Sequence, residues 1–195
     1  MSDVSLIPMF PLALLPLPGE LVPLHIFEPR YRELLEDAET DDITFGIYFS
    51  HTMNTRKVGA IVQLESVIKR YPDGEADIIV KCTDVFTMDI LLRHYKNKLY
   101  PGGEVRYWNV NMEVFPAQRM YELFLEYQRM RNINQSFTLF NTYQIANELN
   151  LELSERYMFL HMPEEKREAF LSNRIRFQMH LMEEEKRSKD FFHLN

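Results

Sequence analysis

The chain has 195 residues, 46% of them hydrophobic and 26% charged, enough apolar material for one domain or a domain with an appended subdomain, which excludes disorder as its main state. A formal charge of −7 argues against a broad phosphate-binding surface, because nucleic-acid binders carry a clustered basic face. Its one cysteine, Cys82, excludes an internal disulfide and any multi-thiolate metal site, and points to a reducing compartment.

The first residues are short apolar pieces, Ile7 to Leu12 and Leu21 to Leu24, broken by Pro8, Pro11, Pro16, Pro18, Gly19 and Pro23. Proline removes a backbone donor and fixes φ, so the segment reads as edge-like strands and turns. Asp3 is the only charge before Glu20, so a signal peptide is not expected, and no run reaches the roughly 20 apolar residues that span a bilayer. A soluble cytoplasmic protein is the expectation. A helix then starts at Pro29, which fits a first turn, with Tyr31, Leu34, Leu35 and Ala38 on one buried face.

Ile43 to Phe49 reads as a strand, and Val58 to Tyr71 as the best strand of the chain, with Val58, Ala60, Val62, Leu64 and Ile68 alternating against a more polar face. Pro72-Asp73-Gly74-Glu75 is a tight-turn signal. The partner strand runs from Ala76 to Thr83, and a separate one from Val85 to Arg93 puts Phe86, Met88 and Ile90 on one face. Tyr95 to Gly103 reads as a loop containing Pro101-Gly102-Gly103, and Glu104 to Val110 closes the β portion. Six or so short strands around one helix indicate an α+β fold with a closed or nearly closed barrel, which removes exposed edges.

At Pro116 the period changes from 2 to 3.6, with Met120, Leu123, Phe124 and Tyr127 on one helical face. Asn132 to Phe140 reads as a connector. Asn141 and Gln144 form a capping-box pattern for a helix through Leu149, Ser154 is the expected cap of a third helix, and Pro163 begins a long last one. The charge is uneven: through Phe115 there are 11 Lys and Arg against 17 Asp and Glu, and the remainder has 11 against 12. The acidity sits in the β portion, which counts against an RNA-binding barrel.

The order Ile7-Pro8-Met9-Phe10-Pro11-Leu12, Pro18-Gly19, then Leu24-His25-Ile26-Phe27-Glu28-Pro29-Arg30-Tyr31 resembles the opening of the amino-terminal substrate-binding domain of Lon proteases, and more closely its stand-alone relatives. Val58-Gly59-Ala60-Ile61, the Pro72-Asp73-Gly74 hairpin and Asp77 to Lys81 follow that domain's central order. Residues 145–149 and 160–174 are similar to its helical extension. One part departs: where the family has Gly followed shortly by Arg, this chain has Cys82-Thr83-Asp84-Val85-Phe86, and functions tied to those residues do not carry over. The resemblance implies a PUA-like β-barrel with an inserted helix over residues 1–115 and an α-helical subdomain over 116–195. It also implies a protein- or peptide-binding module that is not an enzyme, stands without ATPase or serine–lysine protease domains, and buries apolar client segments in a groove between barrel and helices.

No catalytic constellation is legible. The six glycines, at 19, 46, 59, 74, 102 and 103, lie in no P-loop pattern. The six histidines, at 25, 51, 94, 161, 180 and 193, show no ligand spacing for zinc, and neither metal nor cofactor is expected. His25 reads as a hydrogen-bonded structural residue and Cys82 as a buried filler. The candidate binding residues are Tyr71, Tyr95, Tyr100, Tyr107 and Trp108, since Tyr and Trp anchor interfaces with little entropy loss. The partner expected is an unfolded or partner polypeptide, with oligomeric state open. A nucleic-acid-binding PUA-like protein is the second possibility and a small hydrolytic enzyme a remote third.

Overall fold

The computed structural model describes residues 4–133 and 139–192. In chain order these form β1 (Ser5–Leu12), β2 (Leu21–Ile26), α1 (Pro29–Thr40), β3 (Phe45–Phe49), β4 (Val58–Arg70), β5 (Ala76–Leu92), β6 (Gly102–Tyr107), α2 (Gln118–Met130), α3 (Thr142–Glu148), α4 (Leu153–His161) and α5 (Glu164–Phe192). Two compact units result: Met1–Asn111 with Glu152–Tyr157, and Met112–Leu151 with Met158–Asn195. The single boundary expected at 115–116 does not include the returning segment 152–157.

In the first unit β4 lies between β3 and β5, and β1 joins β3 in parallel and β6 antiparallel. Because β5 also pairs with β6, the order β1-β3-β4-β5-β6 returns to β1, and β2 adds to β5 outside that circuit. Two apolar clusters sit on opposite faces of β4. Tyr31, Leu34, Leu35 and Ala38 of α1 cover Ala60, Val62, Ile78 and Val80, whereas Ile61 joins Ile7, Met9, Phe86, Met88 and Val105. Fully burying one such side chain is worth about 1.5–3 kcal/mol.

The early helix forms as expected, with Pro29 in its first turn and the four anticipated residues buried. The 72–75 turn is also present, with Gly74 at φ +88° and Tyr71 N donating to Glu75 O at 2.9 Å.

Several expectations change. β4 is buried on both faces from Val58 to Val62, so its second face is not polar there. A register irregularity between Leu64 and Ser66 then shifts its phase: Val67 packs on the α1 cluster while Ile68 is 64% exposed. The two strands expected over 76–93 are one continuous β5. Asp84 does not break it, because its carboxylate accepts from Val85, Asn109 and Val110 N–H. A further irregularity against β6 between Met88 and Ile90 leaves Ile90 exposed.

Gly102 and Gly103 belong to strand β6 rather than to a loop. A Cβ on Gly103 would come 2.5 Å from Met9 Cε, so a side chain there would have to displace the end of that buried methionine. Residues 152–157 join this unit through Arg156, which pairs with Glu20 and bonds Leu15 O. Tyr157 contributes its hydroxyl as acceptor for Arg56 N–H at 3.2 Å.

In the second unit α2 and α5 run alongside each other in parallel. Ala117 N donates to Glu168 Oε1, and ten residues further along both helices Tyr127 donates to Gln178 Oε1. Met120, Phe124 and Tyr127 are buried as the periodicity predicts, and the Asn141–Gln144 capping box is complete. Ser154 lies inside α4, which begins at Leu153; Glu155 instead accepts from Glu152 N–H. Part of the connector expected over 132–140, and His193, lie outside the described residues.

Candidate functional site

The five aromatic candidates do not form one face. Tyr100 is 1% exposed: its hydroxyl donates to Asp37 Oδ2 at 2.6 Å, and burial together with that carboxylate pushes its pKa up. It is a core residue, a correction to its expected place on a recognition surface. Tyr95 stacks on it with ring centroids 5.8 Å apart. Tyr107 is half-buried against the Phe86 cluster. Trp108 follows it, donating from Nε1 to Thr87 Oγ1 at 2.8 Å. Tyr71 stands with a different set, on the hairpin between β4 and β5.

That set forms one end of an outward-facing surface on β2, β5 and β4. The register aligns Leu21 with Lys81 and Gln63, Pro23 with Ile79 and Ser66, and His25 with Asp77 and Lys69. On β2 the odd positions are exposed and Val22 and Ile26 are buried, so Leu21, Pro23 and His25 point outward. Leu21 is 56% exposed and Phe27, stacked on the His25 ring at 6.0 Å, is 54% exposed. With Ile79 in the middle and Ile68 on β4, this is an apolar strip rimmed by charged and polar groups.

Among the described residues β2 pairs with β5 alone, so its other edge is open. Cys82 N donates to Glu20 O at 2.9 Å. Bonded positions alternate in an antiparallel pair, so Val22, Leu24 and Ile26 bond β5 while Leu21, Pro23 and His25 turn their main chain to the open edge. Pro23 therefore loses no ladder bond, and it denies an added strand one donor.

His25 is the electrostatic centre of the polar end. Its Nδ1 lies 2.7 Å from Asp77 Oδ1 and its Nε2 3.0 Å from Glu75 Oε2. A neutral imidazole carries only one N–H, so both bonds together require the imidazolium. The bond to Asp77 foremost, then that to Glu75, raises the His25 pKa, while desolvation works against them. Asp77 in turn is lowered by the Tyr71 hydroxyl, at 2.7 Å, and by His25. Lys69 Nζ lies 4.2 Å from the Tyr71 ring centroid, and Arg32 bonds Phe27 O and Asp73 O, tying the start of α1 to the hairpin.

These groups can hold a partner by contact and charge. Both His25 nitrogens are engaged, and burial pushes the Cys82 thiol up and away from the thiolate, so neither side chain is poised as a nucleophile. The strip itself was missed by sequence reasoning, which set Ile68 on the core face. Its one available signal was Pro23 in an otherwise strand-like run, the mark of an edge.

A family model described as the ATP-dependent protease La (LON) substrate-binding domain matches residues 6–191. Among solved structures, the Lon N-terminal domain protein from Xanthomonas campestris superposes with a TM-score of 0.63 at 23% identity, covering 85% of this chain and 95% of that one. The N-terminal domain of Mycobacterium avium complex Lon protease gives 0.61 at 15% identity, covering 88% and 98%. At these identities the likeness is one of fold. No curated protein sequence matches the chain.

Proposed function

Because the chain belongs to the ATP-dependent protease La (LON) substrate-binding domain family, we propose that it is a non-catalytic polypeptide-binding module whose client lies on the outer face of β2, β5 and β4. The carrying observation is the solvent-facing strip of Leu21, Pro23, Ile79 and Ile68 beside His25 and Tyr71. Exposed apolar surface rimmed by polar groups is the usual signature of an interaction site. Pro23 weakens strand addition at the β2 edge, so side-chain burial on the face supplies most of the binding. We further read the closed pairing circuit as a PUA-like barrel and the protein as a cytoplasmic one.

No described helix is long and apolar enough to cross a membrane. The acidic balance of the chain, −7 overall, favours polypeptide over nucleic acid as the partner. The test is titration by anisotropy of a fluorescently labelled polypeptide held unfolded by reduction and alkylation of its disulfides, with the native, disulfide-intact form of that polypeptide as competitor. Saturable binding that the folded competitor does not displace is the expected result; absence of binding, or equal preference for folded chain, refutes the proposal.

A further inference from the structure

A groove of about 520 Å³ lies between α2 and α5, inside the helical unit, lined by Arg119, Met120 and Leu123 on one wall and Ala169, Ser172 and Arg176 on the other. On α5 the lining positions recur three or four residues apart, so they form one face of the helix. Ala169 and Ser172 are small and leave the floor open, while Met120 and the half-buried Leu123 supply apolar surface opposite.

Charge is divided along this groove. Glu165 and Glu168 line its amino-terminal end, and Glu168 is occupied, accepting from Ala117 N–H at 2.8 Å. Arg119 and Arg176 are exposed and have no ion-pair or hydrogen-bond partner among the described residues. Glu165 and Arg176 are eleven residues apart on α5, about 16 Å at the helical rise. That is about twice the Debye length in physiological salt, so the acidic end does not cancel Arg176, whereas Arg119, two residues past Ala117, lies close to that end.

We propose that this groove is a second docking site, one that takes a polypeptide segment in which apolar side chains are followed by acidic ones. The apolar groups lie along Met120, Leu123 and Ala169, and a side-chain carboxylate meets Arg176, the arginine far from the acidic end. Guanidinium is the group suited to this, since its planar fork matches a carboxylate bidentately. The inference rests on the reading of the protein as polypeptide-binding, but it names a different surface and a charge preference the outer face does not require.

The test uses end-capped, labelled peptides of leucines flanked by glutamates, with lysine and glutamine counterparts, titrated by anisotropy against the full chain in physiological salt. One exposed charge pair, attractive for glutamate and repulsive for lysine, predicts that the glutamate peptide binds about 2- to 30-fold more tightly than the lysine peptide. The double variant Arg119→Glu with Arg176→Glu reverses that order, with circular dichroism and thermal midpoint confirming its fold. Arg119→Gln with Arg176→Gln, milder in charge, abolishes the preference, whereas Ile68→Ser on the outer face leaves it intact. Equal affinity for acidic and basic peptides, or a preference that survives charge reversal, overturns the proposal while leaving polypeptide binding in place. Loss of all peptide and unfolded-chain binding overturns both.

Discussion

Replacing Ile68 with serine separates a binding face from a structural one. Ile68 is 64% exposed and sits at an irregularity of β4 between Val67 and Lys69, so the folded state holds little of its surface away from water. Surface substitutions of this kind change stability by about 0.5 kcal/mol or less. A client that covers it recovers much more: full burial of an isoleucine is worth about 1.5–3 kcal/mol, and the exposed two-thirds therefore about 1–2 kcal/mol. Ile68→Ser is expected to weaken binding of an unfolded polypeptide about 5- to 30-fold. Leu21→Ser, on the same face and 56% exposed, should act similarly. Leu99→Ser, 59% exposed in the loop before β6, should not. The assay is anisotropy titration, paired with urea unfolding to show that the three variants are folded. Refutation would be an Ile68→Ser affinity within about twofold of the parent, well under 1 kcal/mol, or a Leu99→Ser variant that loses as much.

Three further outcomes follow from the packing and the charges. His25 has a folded pKa raised above its ordinary 6.5, so its contribution is fully present below that value and is lost as pH rises through the folded pKa. The gap in thermal midpoint between the parent and His25→Gln should shrink with rising pH, and an NMR titration of the His25 ring should show the raised value directly. Tyr100→Phe removes a hydrogen bond to the Asp37 carboxylate, an interaction worth about 1.5–3 kcal/mol. Although burial pushes Asp37 up, bonds from Lys98 and Tyr100 bring it below 3.8; its stabilisation is present above that value and lost as pH falls, so acid unfolding of the variant should begin at higher pH. In Gly59→Ala the new Cβ would come 2.5 Å from the Ile47 carbonyl and press on the Phe86 ring. Overpacking costs about 1–3 kcal/mol, and a backbone neighbour that cannot rotate away puts this case at the upper end, read as a lowered urea midpoint with unchanged slope.

What the sequence made legible was local. Pro29 and the 31-34-35-38 spacing define α1 because helix starts and faces depend on residues a few positions apart, and the same holds for the 72–75 turn and the Asn141–Gln144 box. What escaped depends on distant partners. Thr83-Asp84 looked like a strand end, yet Asp84 is satisfied by residues 25 and 26 positions later. Gly102-Gly103 looked like a loop, yet Met9 and Tyr95 occupy the space their side chains would take. Arg156 pairs with Glu20 across 136 residues, a separation no spacing rule covers.

The candidate site failed to show for the same reason and in an instructive direction. A binding strip on a sheet needs apolar residues on the wrong face, and strict alternation assigns every apolar residue in phase to the core. One inserted residue in β4 reverses the phase, so Ile68 moves from the expected core to solvent while Val67 takes its place inside. Removing Glu65 takes out the inserted residue and leaves Ser66 opposite Ile79 and Val67 opposite Ile78, so Ile68 stays outward and the strip survives. Such a variant should bind an unfolded polypeptide within about twofold of the parent by anisotropy. Loss of binding by a variant that still unfolds cooperatively in urea would mean that the inserted residue itself, rather than the phase it sets, makes the surface the client covers.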